Sequence, residues 1–112
     1  MPRLTPPLLP LSLLAHSPLL EELEVSGCER LAALPGLDQL AALTHLDVSY
    51  CASLARLPSL SGLTLLRELN ASNCANLEEA PDLPASLRDC YFHECPQLRA
   101  VRVGSTPLTI HW

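Results

Sequence analysis

Aromatic side chains are scarce in this sequence of 112 residues, which holds two tyrosines, one phenylalanine and one tryptophan. Hydrophobic residues nevertheless make up 48% of the chain, so the core must be aliphatic and dominated by leucine. The length suffices for one domain with a modest core. The 11 prolines disfavour long helices and wide antiparallel sheets, and neither architecture is expected.

Basic runs and long apolar runs are also lacking. The net charge is −5, from 7 basic and 12 acidic side chains, so nucleic acid would be repelled and a basic protein partner is the electrostatic expectation. No uninterrupted apolar segment reaches the roughly 18 residues that a membrane helix needs. The sequence therefore predicts a protein that binds neither nucleic acid nor a membrane.

The first segment of the chain, MPRLTPPLLPLSLLAHS, shares some features with a signal peptide. An apolar stretch follows Arg3, and small residues surround a potential cleavage point after Ala15. Prolines at positions 6, 7 and 10 interrupt that stretch, and its start carries little charge. We therefore expect these leucines to belong to the fold of a cytoplasmic protein, with a secreted form as the alternative.

An internal repeat organises the chain. Segments beginning at Leu20, Leu43, Leu66 and Leu87 align with one another without gaps over their first halves. The aligned columns contain Cys28, Cys51, Cys74 and Cys95; Leu31, Leu54, Leu77 and Leu98; and Pro35, Pro58 and Pro81. Self-similarity at a period of about 21–23 residues is typical of a solenoid, in which each repeat packs against its neighbours.

The repeats divide a single predicted domain, 1–112. Leu8, Leu11 and Leu14 keep the phase of the later leucine columns, and Leu108 follows Leu87 at the same spacing as Leu87 follows Leu66. The predicted divisions are a partial N-terminal repeat or cap at 1–19, repeats at 20–42, 43–65, 66–86 and 87–107, and the start of a truncated repeat or cap at 108–112.

Each repeat opens with alternating polar and apolar residues, the pattern of a short strand. In the first full repeat Leu23 and Val25 point inward, whereas Glu22, Glu24 and Ser26 point outward. The inward positions of the following repeats are Leu46 and Val48, Leu69 and Ala71, and Cys90 and Phe92. Stacked repeats then form one parallel sheet. The proline that follows favours an extended path on the opposite side, with little helix.

The pattern LxxLxVSxCxxLxxLPxLxxL, found over about residues 8–103, resembles a leucine-rich repeat of the cysteine-bearing kind. PDLPASLRDCYFHECPQL is similar to later repeats of plant intracellular immune receptors, and of some bacterial effectors and protozoan proteins. The resemblance implies an α/β solenoid: a right-handed coil with one parallel β-sheet of short strands and a mostly irregular or 3-10 convex side. It also implies that the bend cysteines make a local bond and pack inside, and that the chain is a recognition module.

The outward strand face is the predicted protein-binding site. Its residues are Glu22, Glu24, Ser26, His45, Asp47, Ser49, Glu68, Asn70, Ser72, Asp89, Tyr91 and His93. Like charges on neighbouring strands destabilise a sheet, so these carboxylates would favour a basic protein partner. The alternative is a structural scaffold or a fragment of a longer array, which self-associates through its apolar ends.

Catalysis and metal binding are not expected, and no cofactor is predicted. Cys90, His93 and Cys95 form a C-x2-H-x-C pattern suggestive of zinc, but strand alternation places Cys90 and His93 on opposite sides of the sheet. The five cysteines are odd in number and include no C-x-x-C pair, which favours reduced thiols. No G-x-S-x-G motif is present, and buried bend cysteines should be inert, so the chain is predicted not to be an enzyme.

Overall fold

In the part of the chain that the structure describes, six short strands form one parallel sheet whose spatial order follows the sequence. The computed structural model describes residues 3–4, 19–32, 34, 36–99 and 109–111. The strands are β1 (Arg3–Leu4), β2 (Glu22–Glu24), β3 (His45–Asp47), β4 (Glu68–Asn70), β5 (Asp89–Tyr91) and β6 (Thr109–His111). This arrangement is consistent with a coil of successive repeats.

The predicted alternation along the strands is confirmed. The middle residues of β2 to β5, which pair in register across the sheet, are all buried: Leu23, Leu46, Leu69 and Cys90. Val25, Val48, Ala71 and Phe92, two positions later, are buried as well. Such short parallel strands gain little from backbone pairing alone, so this inward file of side chains fixes the register.

Leucines from the segments between strands complete the core. The first full repeat contributes Leu34, Leu37 and Leu40, Leu43 opens the next repeat, and the same columns continue into the later repeats. Burial of one such side chain contributes roughly 1.5–3 kcal/mol, so stacked leucine columns supply the main stabilising free energy of an aliphatic core. Leu31 and Leu98, at the two ends of one column, are only partly buried against this core.

The side opposite the sheet is irregular, as the prolines predict. Within the described residues the helical content is one 3-10 turn, Leu37–Gln39, which follows Gly36 at a φ of 89°. Neighbouring repeats are joined there too, because Glu78 N–H donates to the carbonyl of Ala55 and Arg99 N–H donates to that of Glu78, each at 3.0 Å. None of the helices in the described part of the chain could cross a bilayer.

The bend cysteines link successive repeats through their thiols. The Sγ–H of Cys51 donates to the carbonyl oxygen of Val25 at 3.3 Å, and that of Cys74 donates to Val48 at 3.2 Å. Cys95 makes the same contact with Ala71 at 3.1 Å. Each thiol thus satisfies a carbonyl at the end of the preceding strand, where water is excluded.

The four thiols form a single interior file, as predicted. Cys51 and Cys74 are fully buried, whereas Cys28 and Cys95 are partly buried against the core. Secondary, longer contacts run to the carbonyl two residues earlier, at 3.8 Å for Cys51 and 3.7 Å for Cys74. The prediction of a local bond was therefore incomplete, because the shorter contact joins one repeat to the next.

The residue before each bend cysteine has left-handed backbone geometry. This column contains Gly27, Tyr50, Asn73 and Glu94, with φ values of 79°, 58°, 59° and 54°. Glycine adopts this geometry without a Cβ clash and asparagine tolerates it, whereas other residues are destabilised by roughly 1–2 kcal/mol. Tyr50 is thus strained, although its side chain is 61% exposed and gains little from packing.

We expect Tyr50→Gly to stabilise the fold by about 0.5–1 kcal/mol, because relief of the strain exceeds the packing lost. The matched control is Ala52→Gly, an exposed residue of the same bend whose φ is not positive. It should destabilise by about 0.5–1 kcal/mol through backbone entropy. Urea denaturation midpoints measure both changes, and a loss of stability in both variants would contradict the strain at Tyr50.

The last strand, β6, does not keep the sequence spacing of the repeat before it. The spacing from Leu66 to Leu87, applied once more, would make Leu108 equivalent to Leu87 and turn Ile110 outward. Ile110 instead pairs with Cys90 and packs against the core. A shift of one residue exchanges the two faces of a strand, so burial of the isoleucine decides the register.

At the other end of the sheet β1 pairs with β2. Leu4 is the register partner of Leu23, and the two are closer in sequence than Leu23 and its next partner Leu46. The sequence predicted only the second half of this first repeat, and its Leu8, Leu11 and Leu14 lie outside the described residues.

Candidate functional site

The outward face of the sheet carries two residues from each of β2 to β5, one on either side of the buried middle residue, and His111 from β6. Half-buried or exposed side chains occupy it: Glu22, Glu24, His45, Asp47, Glu68, Asn70, Asp89, Tyr91 and His111. A shallow depression of about 220 Å³ lies over β2, β3 and β4 on this face. The register of the sheet therefore gathers side chains from five separate repeats into one surface.

The acidic half of this face comprises Glu22, Glu24, Asp47 and Glu68. Glu24 and Asp47 are register partners, so their carboxylates lie on neighbouring strands, and the spacing between these strands is about 4.8 Å. His45 stands between Glu22 and Glu68 in the adjacent row. Its Nε2 lies 3.7 Å from Glu68 Oε2, and both side chains are about half exposed, so this contact adds little stability. Negative charge dominates the depression.

The aromatic end of the face comprises Tyr91, His93 and His111. The rings of Tyr91 and His111 stack with centroids 4.3 Å apart and planes inclined by 10°. His93 is tilted against Tyr91 at 6.1 Å. His111 Nε2 also lies 3.2 Å from Asp89 Oδ1, which holds the imidazole over the tyrosine. Desolvation, followed by the negative charges of Asp89 and Glu68, raises the pKa of Tyr91, so the phenol is neutral at physiological pH.

The serine row does not belong to the accessible face, which corrects the sequence prediction for Ser49 and Ser72. Their exposed fractions are 6% and 5%. Each of β2 to β5 ends one position after its buried middle residue. The chain then enters the bend, where Ser49 and Ser72 are buried. Ser26 occupies the same position in the first full repeat and is half-buried. The predicted site therefore loses two of its members.

Asp47 has a structural role that the sequence prediction missed. The backbone N–H and the hydroxyl of Ser49 both donate to Asp47 Oδ1, at 2.9 and 2.6 Å. In the next repeat Asn70 Oδ1 accepts the N–H of Ser72 at 3.0 Å, which is the same turn built with an uncharged side chain. The carbonyl-type oxygen, not the charge, is what the turn requires.

Asp47→Ala should therefore destabilise the fold by about 1–3 kcal/mol, because the buried Ser49 hydroxyl loses its acceptor. Asp47→Asn keeps an acceptor and should stay within about 1 kcal/mol of the parent protein. Thermal and urea unfolding of the two variants measure this difference. Equal losses in both would show that the carboxylate charge, rather than the turn, is what stabilises this position.

His111 is the face residue that the sequence prediction omitted. At the spacing of 21 residues from Leu87 to Leu108, His111 would be equivalent to the buried Cys90, whereas in the structure His111 pairs with Tyr91. Ile110 was the residue in the sequence that could have indicated the register of β6, because shortening the last repeat by one residue buries Ile110 and brings His111 to the face. His93, which was predicted, lies beyond the end of β5 and is exposed.

Burial makes the thiols of Cys28, Cys51, Cys74 and Cys90 harder to ionise. Desolvation raises the pKa of Cys51 to about 11 and that of Cys90 to about 12, and it raises the pKa of Cys28 and Cys74 as well. Cys90 points into the core while His93 is exposed, as strand alternation predicted. In the described part of the chain, no three His, Cys, Asp or Glu side chains are grouped closely enough to hold a metal ion.

The raised pKa values predict both reactivity and alkaline stability. At pH 8 the buried Cys51, Cys74 and Cys90 should resist iodoacetamide much longer than the partly exposed Cys28 and Cys95. Ionisation above pH 9 favours the unfolded chain, since the contribution of a thiol whose folded-state pKa is raised is complete below its unfolded pKa and is lost as the pH rises through its folded-state pKa. Stability should therefore fall from pH 9 and continue to fall through about 11 to 12. Mass spectrometry of labelled peptides and urea midpoints against pH measure the two effects. Fast labelling of Cys74 would contradict the interior file.

Comparison of the chain with family models, curated proteins and solved structures finds no match in any of the three.

Proposed function

We propose that this chain is a leucine-rich-repeat protein, a right-handed α/β solenoid with an irregular convex side. Three observations support the proposal. The parallel strands follow one another in sequence order, the leucine columns recur in the core, and the thiols of successive bends contact the preceding repeat. Such a coil presents one surface on which side chains from several repeats act together.

The proposed function is protein–protein recognition through the outward sheet face, with a basic segment of another protein as the ligand. The main observation in support of this function is the acidic half, in which four carboxylate side chains line an open depression. The net charge of −5 adds a long-range attraction for the same partner. Arginine or lysine side chains of the ligand would pair with Glu22, Glu24, Asp47 and Glu68.

The aromatic end would supply the second part of the contact. An arginine guanidinium stacks on aromatic rings and binds carboxylates in a fork, so it fits a site in which Tyr91 and Asp89 are adjacent. Tyrosine contributes large contact area at low entropic cost, which is why it recurs at binding hot spots. The ligand would therefore run across the strands, from β2 toward β6.

Catalysis, a cofactor and a metal have no part in this proposal. The raised thiol pKa values support structural roles for the cysteines, since a thiolate is the reactive form. Five unpaired cysteines are compatible with a reducing compartment, and we place the protein in the cytoplasm on that ground, with a secreted form as the alternative.

Peptide titration followed by NMR tests the function. A dodecapeptide rich in arginine and a matched peptide with glutamate in place of arginine would be added separately to labelled protein. The basic peptide should shift the signals of Glu24, Asp47 and Tyr91, and the acidic peptide should not. Shifts confined to residues outside the sheet face would refute the assignment.

A further inference from the structure

A second concave surface lies at the amino-terminal edge of the sheet, away from the acidic half. This edge groove has a volume of about 380 Å³ and is lined by Thr44, Thr64, Leu65, Arg67, Ser86 and Arg88. The described residues that line it include no carboxylate, in a protein whose net charge is −5. The described lining of the groove is therefore positively charged, in contrast to the acidic half, and needs a separate explanation.

Two arginines occupy neighbouring positions in this groove. Each immediately precedes its strand, and the N–H of Arg88 donates to the carbonyl of Arg67 at 2.9 Å. Their Cα atoms are therefore about one strand spacing, 4.8 Å, apart. Both side chains are exposed, and neither guanidinium forms an ion pair with any residue that the structure describes. Adjacent like charges destabilise a sheet unless an anion lies between them.

The carboxylates that immediately follow the two arginines in the chain are directed elsewhere. Glu68 lies next to His45 and Asp89 next to His111, both on the outward face of the sheet. Within the groove, the hydroxyl of Ser86 donates to the carbonyl of Leu66 at 2.7 Å, which fixes that wall. Thr64 is exposed, and no described side chain or backbone group bonds its hydroxyl. The groove thus offers two guanidinium forks and one hydroxyl.

We infer that the edge groove binds a phosphate monoester carried by a polypeptide, such as a phosphoserine side chain. One guanidinium fork already saturates the two oxygens of a carboxylate, whereas a phosphate dianion has three terminal oxygens and engages both Arg67 and Arg88. The described lining holds no aromatic ring on which a nucleobase could stack, whereas Leu65, 54% exposed, offers an apolar contact to a flanking side chain. The inference is independent of the function proposed for the sheet face.

Titration of the arginine Nε–H and backbone NMR signals tests the site at constant ionic strength. The probes are inorganic phosphate, N-acetyl-O-phosphoserine amide, N-acetylaspartate amide and adenosine monophosphate. Phosphate and the phosphoserine probe should shift the signals of Arg67, Arg88 and Thr64. Tighter binding of adenosine monophosphate than of phosphoserine would overturn the polypeptide assignment, and equally tight binding of the aspartate probe would overturn the phosphate class.

Variants identify the groups that bind. Arg67→Gln and Arg88→Gln should each weaken the phosphoserine probe about tenfold or more, while Arg56→Gln, an exposed arginine outside the groove, should leave binding unchanged. Arg67→Lys keeps the charge and loses the fork, so it should weaken binding severalfold. Unchanged binding in Arg67→Gln or Arg67→Lys, or an equal loss in Arg56→Gln, would overturn the site. Unaltered backbone spectra establish that each variant is folded.

Discussion

Leu66→Ala is expected to lower the free energy of unfolding by about 2–5 kcal/mol. Leu66 is fully buried, and it belongs to the leucine column with which each repeat opens. Truncation removes its transfer free energy and leaves a cavity that stacked neighbours cannot fill without shifting the register. Small domains are stable by only about 5–15 kcal/mol, so this change removes a large share of the total.

Leu65→Ala is the matched control, because the same substitution is made one residue earlier in the same repeat. Leu65 is 54% exposed and lies in the edge groove, so the expected loss is less than about 1 kcal/mol. Urea denaturation followed by circular dichroism measures both variants. Equal losses at the two positions would contradict the assignment of Leu66 to the buried side and Leu65 to the exposed side. A slip of one residue would exchange the two sides and reverse the order of the losses.

Neutralising the acidic half should weaken binding of the arginine-rich dodecapeptide by between about fourfold and nearly a thousandfold. The variant carries Glu22→Gln, Glu24→Gln, Asp47→Asn and Glu68→Gln. Each exposed pair contributes about 0.2–1 kcal/mol, and four pairs give this range. Asparagine is chosen at position 47 because the turn to Ser49 needs the acceptor oxygen, so a charge reversal there would mix folding with binding. Calorimetric or fluorescence titration measures the affinity.

A control variant removes the same charge from elsewhere on the surface. Glu29→Gln, Asp38→Asn, Glu79→Gln and Asp82→Asn are all exposed and lie outside the sheet face. The control should lose only the long-range attraction, which salt at about 0.5 M screens in both proteins. If the two quadruple variants bind the peptide equally well, net charge alone attracts it and the sheet face is not the site.

The inward half of the fold was predictable because it depends on local geometry. Residues two apart in a strand point to the same side, so the Leu-x-Val pattern of the first two full repeats, carried forward by the repeat period, located β2 to β5 and their buried side chains. The bend cysteines were placed by the same period. β1 was not predicted in this way, because Arg3–Leu4 is a strand of only two residues and lies in a segment rich in leucine and proline.

The candidate site was less predictable than the core. Alternation extended the outward rows to Ser49 and Ser72, but the strands stop earlier and the bend covers these residues. The role of Asp47 in its turn depends on where Ser49 is placed after the strand ends, which periodicity does not encode. The stack of Tyr91 with His111 depends on a register between strands whose sequence spacing departs from the common period.

The sequence by itself determined the period of the chain, the aliphatic side chains that face inward and the position of the thiol in each bend. These follow from the backbone geometry of residues close together in the chain. Only the tertiary structure decided which polar side chains are accessible, that His111 joins Tyr91 at one end of the face, and that Arg67 and Arg88 share a groove whose described lining has no carboxylate. Those outcomes depend on how successive repeats are stacked on one another, and burial of the core sets that register.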